Sequence, residues 1–293
     1  MSVLRTKLTL RRREALTGLG FAALPLLGFG VFYVVPFGIT IWRTVSDYGG
    51  THFVGLNNYI NVFGSSAFQL AVFNTFKFIS LGVLCLLVLS LAIALMLNQN
   101  PKGRDGFRAA YVLPIVLPTA SVIMVFRFLF DSGGIINYLL NGLGLHTINF
   151  LYSGNAFWVL LLLYLWKNIG YGIILMVSGL TQIPRDYYEA AKVDGAGAFC
   201  RLRKITLPLL SPTLMFVTLF AIMFAFKAFR EAYALSGDYP DNSIYMLQHF
   251  MSNNFARLNY TRLSVGAVMT FLVIVAIVWV LFWRKFREGA DVN

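Results

Sequence analysis

Six long apolar stretches constrain this chain more than any other feature of its sequence. Hydrophobic residues make up 58% of its 293 residues, charged residues only 12%, and the mean hydropathy is +0.71. These values lie outside the range of soluble domains. A helix of about twenty apolar residues crosses a bilayer. The sequence therefore predicts an all-α membrane protein with six transmembrane helices, at about residues 16–42, 69–97, 109–130, 156–180, 207–229 and 263–283.

The Lys and Arg residues set the expected orientation of these helices. Sixteen of the 24 basic residues fall in the N-terminal tail, the loop after the second stretch, the loop 181–206 and the C-terminal tail, against four in the other loops. Such a bias marks the cytoplasmic side. We therefore expect cytoplasmic tails at 1–16 and 284–293 around a six-span transmembrane domain at 17–283. The first stretch is too long for a signal peptide and ends without a small-residue cleavage site, so it should remain as a span.

Composition also excludes several kinds of chemistry. The net charge is +12, but the basic residues stand at the ends of spans, so the positive-inside rule explains them and no nucleic-acid partner is expected. The two Cys and three His residues are scattered without metal-ligand spacing, and no paired carboxylates or nucleophile with a His partner indicates catalysis. The phosphate-binding pattern G-x-x-x-x-G-K-[ST] does not occur. We therefore expect no catalytic residue, metal site or nucleotide site in this chain.

The loop 181–206 is a long polar interruption with a distinct local pattern. Pro184 suits the start of a helix, where its missing N–H costs nothing, and residues 185–194 read as that helix. Gly195 then breaks it, since glycine alone adopts a left-handed turn without a steric penalty. A second, basic helix is expected at about 198–204. The pattern predicts a helix-turn-helix on the cytoplasmic face, and an ordinary amphipathic loop is the alternative that composition alone allows.

Three short motifs in and after this loop narrow the choice. They are residues 189–191 (EAA), 194–196 (DGA) and 205–208 (ITLP), with Pro212 beyond them. Together they resemble the loop of the permease subunits of binding-protein-dependent ABC importers. Residues 181–184 (TQIP) and 53–59 (FVGLNNY) are similar to the sugar-importing branch, of the maltose, glycerol-phosphate and multiple-sugar type. The chain departs from the family pattern at Phe199, Cys200 and Leu202, where Trp, a polar residue and an aromatic residue are common.

The resemblance implies a type I ABC importer permease fold that works with other subunits. Two cytoplasmic ATPase subunits, which bind ATP and Mg²⁺, would each receive one such loop. A second homologous permease would complete a heterodimer, with a homodimer as the alternative, in the lipid of a prokaryotic cytoplasmic membrane. An extracytoplasmic solute-binding protein would dock on the outer loops, where Asp47, Glu231, Asp238 and Asp241 stand. The residues expected to couple to the ATPases are Glu189, Ala190, Ala191, Asp194, Gly195 and Ala196.

Four basic residues fall inside the predicted spans, namely Lys77, Arg127, Lys167 and Lys227. A charge at a helix centre costs about 2.5–3.5 kcal/mol, so by default it faces a polar cavity. Three of the four stand near enough to span ends for snorkelling to explain them equally well. Lys167 lies near the middle of the fourth span, among glycines expected to weaken the helix, at the depth where transporters hold their cargo.

The resemblance places the substrate pocket in the spans on either side of the loop 181–206. Sugars need hydrogen-bonding groups and an aromatic face, and a cluster of cations towards the outer half hints at an acidic sugar. Phe224 fits a lipid-facing or core position as well as a ligand contact. The residues expected to bind substrate are Lys167, Asn168, Tyr171, Phe224 and Lys227.

These observations favour the permease subunit of an ABC importer for a carbohydrate, with ATP hydrolysis in separate subunits. The alternative is a self-sufficient secondary transporter or channel for a small polar solute. A secondary transporter needs a coupling carboxylate within the membrane. The sequence places every Asp and Glu outside the predicted spans or at their edges, which counts against this alternative.

Overall fold

The chain is almost entirely helical. The computed structural model describes residues 2–99 and 104–290, so Met1, the predicted cytoplasmic Lys102 and the last three residues of the predicted C-terminal tail lie outside the described residues. Within the described ranges there is no strand, only an isolated antiparallel bridge between Ser46 and Phe53. The α-helices are α1 (Ser2–Phe29), α2 (Val35–Val45), α3 (Asn57–Phe63), α4 (Ser66–Asn98), α5 (Arg104–Val116), α6 (Thr119–Phe130), α7 (Ile135–Gly142), α8 (Ala156–Thr181), α9 (Arg185–Val193), α10 (Ala198–Arg201), α11 (Leu207–Lys227), α12 (Phe229–Ser236), α13 (Leu247–Ala256) and α14 (Tyr260–Ala290).

Three short segments of other helical types join these elements. A π-helical segment, Gly30–Val34, lies between α1 and α2, a second one, Leu202–Thr206, lies between α10 and α11, and a 3₁₀ turn covers Asn242–Ile244. Pro25 lies inside α1 and Pro36 in the first turn of α2. The first span therefore continues through both prolines by local π-helical adjustment, as spans in a helical bundle can.

The prediction of six membrane-crossing segments is confirmed. Among the described residues, six helical segments are long and apolar enough to cross a bilayer: Thr17–Val45, Ser66–Asn98, Thr119–Gly142, Ala156–Thr181, Ala198–Ser236 and Tyr260–Trp283. The first, second, fourth and sixth lie close to their predicted positions. The tail boundaries predicted at residues 16 and 284 coincide with no break in the structure, because α1 and α14 run through them, and they remain predictions of membrane topology.

The third span differs from the prediction of one helix at about 109–130. The helix α5 ends at Val116 and α6 begins at Thr119, because Pro118 adopts an extended backbone with φ −58° and ψ 132°. Proline disfavours helical backbone at the residue before it and donates no N–H to continue a helix. The apolar segment here is consequently Thr119–Gly142, later in the chain than predicted.

The fifth span also differs, because the second helix of the loop 181–206 is not a separate element. The helix α10 has four residues and passes through the π-helical segment directly into α11. The prediction of an independent helix at 198–204 is therefore wrong. Any movement of α10 is carried by continuous backbone into the fifth span.

The larger of two compact units comprises residues 65–253 and 274–293, and α8 is its central helix. The helix α8 packs against α4, α5 and α11, and 14 of its 26 residues are buried. A helix that is apolar on most sides and buried in this way belongs to a core rather than to a surface. Edge-to-face ring contacts of Phe78 with Phe157 and Tyr164 join α4 to α8.

The second unit comprises residues 1–64 and 254–273. Inside it the ring of Phe37 packs against Phe271 with centroids 4.7 Å apart, and the Arg43 guanidinium lies 5.1 Å above the Tyr260 ring. The loop after α2 is closed by its own polar contacts. Asn58 donates from Nδ2 to the carbonyl oxygens of Thr44 and Ser46 at 3.0 and 2.7 Å.

Candidate functional site

The helix α9 and the turn after it form the exposed end of the loop 181–206. Pro184 precedes the first helical residue and Asp186 stands in the first turn, where a negative charge suits the helix dipole. Gly195 has φ of 76°, the left-handed conformation predicted for it. The Ala196 N–H donates to Ala191 O at 2.8 Å and the Gly195 N–H to Lys192 O at 3.0 Å, which together form a Schellman motif that ends the helix.

The predicted coupling residues lie together at this end. Glu189, Ala190, Asp194 and Gly195 are exposed, Ala191 and Ala196 are half-buried, and α9 buries none of its residues. Three large apolar side chains beside them are also exposed: Tyr187 at 55%, Val193 at 88% and Phe199 at 74%. Exposed apolar side chains beside charged ones are typical of a surface that docks on another protein.

A hydrogen bond ties α9 to the base of the fifth span. The Tyr188 and Thr206 hydroxyl oxygens lie 3.0 Å apart, and Thr206 itself donates to Arg201 O at 3.4 Å, so Tyr188 is the donor to Thr206. Thr206 is only 3% exposed. The contact fixes α9 against the π-helical segment, so that the two sides of the turn at Gly195 are held at a defined angle.

A polar cavity of about 760 Å³ lies beside α9. Its lining combines the end of α4, the end of α8 and the inner face of the loop 181–206. The lining residues are Leu95, Asn98, Gln99, Leu180, Thr181, Ile183, Arg185, Tyr188, Glu189, Lys192, Arg201 and Thr206. Glu189 therefore stands at the edge of a groove that already contains basic side chains of its own chain.

The five predicted substrate-binding residues meet in a second cavity, of about 210 Å³. We call it the Lys167 cavity. The helices α5, α8, α11 and α12 contribute to its wall. Its lining residues are Ile115, Leu160, Tyr164, Lys167, Asn168, Tyr171, Phe224, Lys227, Ala228, Arg230 and Glu231. The structure thus brings together residues predicted from two separate spans, and their role in binding substrate remains a prediction.

Aromatic and amide groups shape the wall of the Lys167 cavity. The Tyr171 and Phe224 rings have centroids 5.3 Å apart at an angle of 40°. Asn168 is buried and donates from Nδ2 to Tyr164 O at 2.8 Å, while the Tyr164 hydroxyl donates to Ala221 O at 2.8 Å. The first bond lies within α8, and the second joins α8 to α11. The result is a rigid aromatic and polar surface of the kind that binds small ligands.

Lys167 is paired with a carboxylate that sequence reasoning placed elsewhere. Its Nζ donates to Glu231 Oε1 at 2.5 Å and to Thr119 Oγ1 at 2.8 Å. Glu231 was expected on the outer rim, available to a binding protein, but it is only 8% exposed and lines the Lys167 cavity. The expectation that all carboxylates lie outside the spans or at their edges is therefore wrong, because Glu231 belongs to the fifth apolar segment.

A helical pattern in the sequence did carry a signal for Glu231. Ala228, Ala232 and Leu235 are all buried, and they stand three residues before, one after and four after Glu231. Residues three and four apart share one face of a helix. If the fifth span is extended to include this face, Glu231 lies among the packed helices, where it pairs with Lys167.

The glycines of the fourth span have a packing role rather than the predicted weakening role. The helix α8 runs unbroken from Ala156 to Thr181. A Cβ built on Gly170 lies 2.1 Å from Tyr111 O, and one built on Gly172 lies 2.3 Å from Ser90 Oγ. Small residues at these positions let neighbouring helices approach closely, as is common in membrane helix packing.

The other charged residues within predicted spans have separate environments. Lys77 Nζ lies 4.2 Å from the centroid of the Phe157 ring, a cation–π contact that offsets part of the cost of its position. Arg127 stands in the last turn of α6 and Lys227 in the last turn of α11, where a positive charge suits the helix dipole.

Two of the four expected rim carboxylates organise turns. Asp47 accepts from the backbone N–H groups of His52 and Thr51, which hold its pKa below the ordinary range. Asp241 accepts from the Ser243 N–H at 2.9 Å at the start of the 3₁₀ turn. Asp238 is exposed. Asp47 and Asp241, two of the carboxylates expected on the outer rim, are thus held in fixed positions.

Comparison with known proteins decides the family. Residues 86–286, more than half of the chain, match the family model described as the binding-protein-dependent transport system inner membrane component. This chain belongs to that family. The matched region contains the whole loop 181–206 and the Lys167 cavity, and the chain is accordingly a membrane component of a transport system.

Relatives of this permease match it over nearly their full length. It is 32% identical over 274 residues to the trehalose/maltose transport system permease protein MalF of Thermococcus litoralis, covering 91% of this chain and 92% of the relative. It is 30% identical to the probable ABC transporter permease protein YesP of Bacillus subtilis, with 93% and 91% covered. The sn-glycerol-3-phosphate transport system permease protein UgpA of Yersinia pestis is 28% identical, with 86% and 88% covered.

A solved structure has the same fold. A chain of a bacterial ABC transporter involved in the import of the acidic polysaccharide alginate superposes with a TM-score of 0.78 at 20% identity, covering 95% of this permease and 98% of that chain. A second structure of a bacterial alginate ABC transporter, in complex with a periplasmic protein carrying an alginate pentasaccharide, gives a TM-score of 0.77 at 20% identity, with 92% and 93% covered. At these identities the likeness shows the fold alone, and it confirms the all-helical ABC importer permease fold.

Proposed function

We propose that this chain is the transmembrane permease subunit of an ABC importer that moves a carbohydrate across the cytoplasmic membrane of a prokaryote. The observation that carries the proposal is an exposed, glycine-terminated helix, α9, tied to the base of a membrane span in a chain of this family. An exposed helix that is fixed to a membrane span in this way can transmit the movement of a bound protein to that span. The chain itself performs no catalysis.

Carbohydrate is the cargo that the relatives and the cavity both support. The relatives' names include trehalose, maltose and glycerol phosphate, and the solved relatives import alginate. The Lys167 cavity offers paired aromatic rings, a buried amide and charged groups, which suit the alternating apolar faces and hydroxyls of a sugar. Lys167, Asn168, Tyr171, Phe224 and Lys227 would line the path of the sugar.

The expected assembly contains this permease, a second homologous permease, two ATPase subunits and an extracytoplasmic solute-binding protein. ATP and Mg²⁺ would be bound by the ATPases alone. Ala190 and Ala191 would allow close approach of an ATPase surface, and Glu189 would pair with a basic residue there. The segment 194–196 would hold the angle between α9 and α10. Closure of the ATPases would then move α10 and, through continuous backbone, rock the fifth span between inward-open and outward-open arrangements.

The proposal requires the loop 181–206 and both termini on the cytoplasmic side. Cys200 lies in that loop, half-buried, and Cys85 lies in the second span. In a Cys85→Ser background, a membrane-impermeant maleimide should label Cys200 in inside-out vesicles and leave it unlabelled in intact cells. Labelling of Cys200 from outside would place the loop on the wrong side and remove the proposal.

Transport assays on the assembled importer test the function directly. Reconstituted in proteoliposomes with its partners, the permease should take up a sugar only when ATP is present on the ATPase side. Glu189→Lys should abolish this uptake while the chain still inserts. Glu14→Lys is the matched control, because Glu14 is an exposed carboxylate outside the loop 181–206, and it should transport normally.

The same assay decides the alternative of a secondary transporter. One observation favours that alternative, because Glu231 is a buried carboxylate within the fifth apolar segment. Its pairing with Lys167 speaks against a role as a free coupling carboxylate. Undiminished uptake without the ATPase subunits would establish the alternative and overturn the importer.

A further inference from the structure

The polar cavity of about 760 Å³ beside α9, which we call the α9 cavity, carries an unbalanced charge. Three cations line it, namely Arg185, Lys192 and Arg201, against one carboxylate, Glu189. None of the three cations has a carboxylate within salt-bridge distance among the described residues. The α9 cavity therefore has a net positive charge that the described part of the chain does not neutralise.

Arg201 is the least exposed of these cations. It is half-buried in the last turn of α10, whereas Arg185 and Lys192 are exposed. A charge that is partly removed from water is costly unless it is paired, and no described carboxylate pairs with Arg201. A guanidinium presents its N–H donors in a planar fork that matches the oxygens of a phosphate. A phosphate in the α9 cavity would supply the partner that Arg201 lacks.

The size and the neutral lining of the α9 cavity indicate a ligand larger than a bare anion. Asn98 and Gln99, at the end of α4, are exposed and line the cavity, and their amides can donate to hydroxyl groups as well as to phosphate oxygens. A water molecule takes about 30 Å³ of liquid volume, so a cavity of about 760 Å³ exceeds the needs of a lone phosphate ion. It has room for a phosphate that carries glycerol or a sugar.

The α9 cavity lies where two membrane spans end. These spans are Ser66–Asn98 and Ala156–Thr181, and their last residues, Asn98 and Thr181, both line the cavity. In the proposed topology this is the cytoplasmic side, where the leaflet contains anionic lipids and basic pockets between spans bind their headgroups. A lipid phosphate is thus close at hand, and a soluble phosphate ester of the cytosol offers the same chemistry.

We propose that the α9 cavity is a binding site for a phosphate-bearing ligand, held by Arg201 with Arg185 and Lys192. The inference goes beyond the proposed function, because it concerns a ligand other than the transported sugar. It places this ligand against the helix that is expected to contact the ATPase, so its binding can be sensed by the residues that couple ATP to transport.

A general attraction of basic loops to the cytoplasmic face makes a different prediction. The positive-inside bias involves every Lys and Arg of the loop 181–206 alike. Arg203 and Lys204 belong to the same loop and are exposed, but they do not line the α9 cavity. A specific site requires Arg185 and Lys192 to matter and Arg203 and Lys204 not to matter.

The experiment measures protection of Arg201 in the assembled importer, held in phosphatidylcholine nanodiscs in a phosphate-free buffer. Phenylglyoxal modifies accessible guanidinium groups, and peptide mass spectrometry gives the separate rates for Arg201 and Arg203. In one arm, phosphatidylglycerol replaces increasing fractions of the phosphatidylcholine. In the other arm, glucose 6-phosphate is added, with glucose as the uncharged control.

Protection of Arg201 well beyond that of Arg203 is the expected result. Protection by phosphatidylglycerol alone identifies a lipid headgroup as the ligand, and protection by glucose 6-phosphate identifies a soluble phosphate ester. Arg185→Gln and Lys192→Gln should each raise the amount of the protecting compound needed for half-protection about fivefold, the effect of one basic residue near an anionic membrane surface. Arg203→Gln and Lys204→Gln are the matched controls and should leave that amount unchanged.

Three results would overturn the inference. Arg201 could be protected by neither compound, or phosphatidylglycerol could protect Arg201 and Arg203 equally with all four variants alike, which would leave only the general attraction. An Arg201 that does not react even in pure phosphatidylcholine would be covered by the ATPase, and its charge would then belong to a protein contact. Because the measurement involves no uptake, failure of sugar transport would remove the proposed function and leave this result standing.

Discussion

The loop 181–206 and the Lys167 cavity are built in opposite ways. The turn after α9 is closed by backbone bonds between residues two to five positions apart, such as the Ala196 N–H to Ala191 O. The ion pair of the Lys167 cavity instead joins residues 64 positions apart, Lys167 and Glu231, and Lys167 reaches a further 48 positions back to Thr119. The loop is exposed and the ion pair is largely buried.

This difference separates two kinds of function. A surface that engages a partner can be specified by a short sequence, because local turn chemistry fixes its shape. A binding cavity depends on how several helices pack, so a change in one helix is felt by residues far away in the chain. Substitutions in the cavity wall should therefore damage stability, whereas substitutions in the loop should damage coupling.

The largest expected effect tests the packing side of this comparison. Gly170→Ala places a Cβ 2.1 Å from Tyr111 O and 2.8 Å from Ile115 Cδ1, in a contact that backbone atoms cannot relieve. We expect a loss of about 3 kcal/mol in stability, seen as a lower midpoint of thermal unfolding in detergent and a lower yield. Gly18→Ala is the control, because Gly18 has no atom within 4 Å of such a Cβ, and it should leave the midpoint unchanged.

An effect of pH on stability, of nearly the same size, is expected from His249, which packs against α12, the helix that carries Glu231. His249 is fully buried against the Phe229 ring of α12, its Nδ1 accepts from the Met246 N–H at 3.1 Å, and burial lowers its pKa from 6.5 to about 4. The unfolded chain binds the proton more readily, so this stability is present above pH 6.5 and is lost as the pH falls towards 4, by up to about 3 kcal/mol.

Thermal unfolding between pH 7.5 and 4.5 measures this effect. His249→Asn keeps an acceptor for the Met246 N–H and removes the titration, so its unfolding midpoint should fall less steeply with acid than that of the wild type. Equal slopes for the two proteins would show that His249 does not contribute to the acid sensitivity.

A smaller effect on stability, with a large one on transport, is expected at Gly195. Its φ of 76° costs other residues about 1–2 kcal/mol, so Gly195→Val should change the conformation of the turn. Because the loop is exposed, the midpoint of thermal unfolding should change little. Uptake per ATP hydrolysed should fall strongly. Gly195→Asn should retain more coupling, since Asn tolerates this conformation. Equal coupling in both variants would contradict a role for the left-handed turn.

The smallest expected effect concerns the bond between Tyr188 and Thr206, which are 3.0 Å apart. Tyr188→Phe removes one hydrogen bond, worth about 1 kcal/mol, and should lower the number of sugars moved per ATP by a modest factor. Thr206→Val also removes the bond from Thr206 to Arg201 O, so its loss should be at least as large, and the double variant should be no worse than Thr206→Val alone. Additive losses would show that the two hydroxyls act separately.

Prediction from sequence succeeded where a pattern was local or depended on hydrophobicity. The number of apolar spans and the break of α9 at Gly195 follow from such patterns. It failed at Pro118, which splits the third span, and at 198–204, which continues into the fifth span. At Pro118 the geometry of proline outweighs the length of an apolar run, whereas at 198–204 the helical backbone continues through a π-helical segment into α11.

The sequence by itself determined a six-span helical membrane protein and the turn at Gly195, because hydrophobic length and glycine conformation act without knowledge of the packed fold. Its resemblance to a permease family pointed to five residues that the structure brings into one cavity. Only the tertiary structure decided that Lys167 is neutralised by Glu231 and that Gly170 and Gly172 are points of close helix contact. The physical reason is that a buried charge takes whichever partner packing brings within hydrogen-bond distance. The order of residues along the chain does not specify that distance.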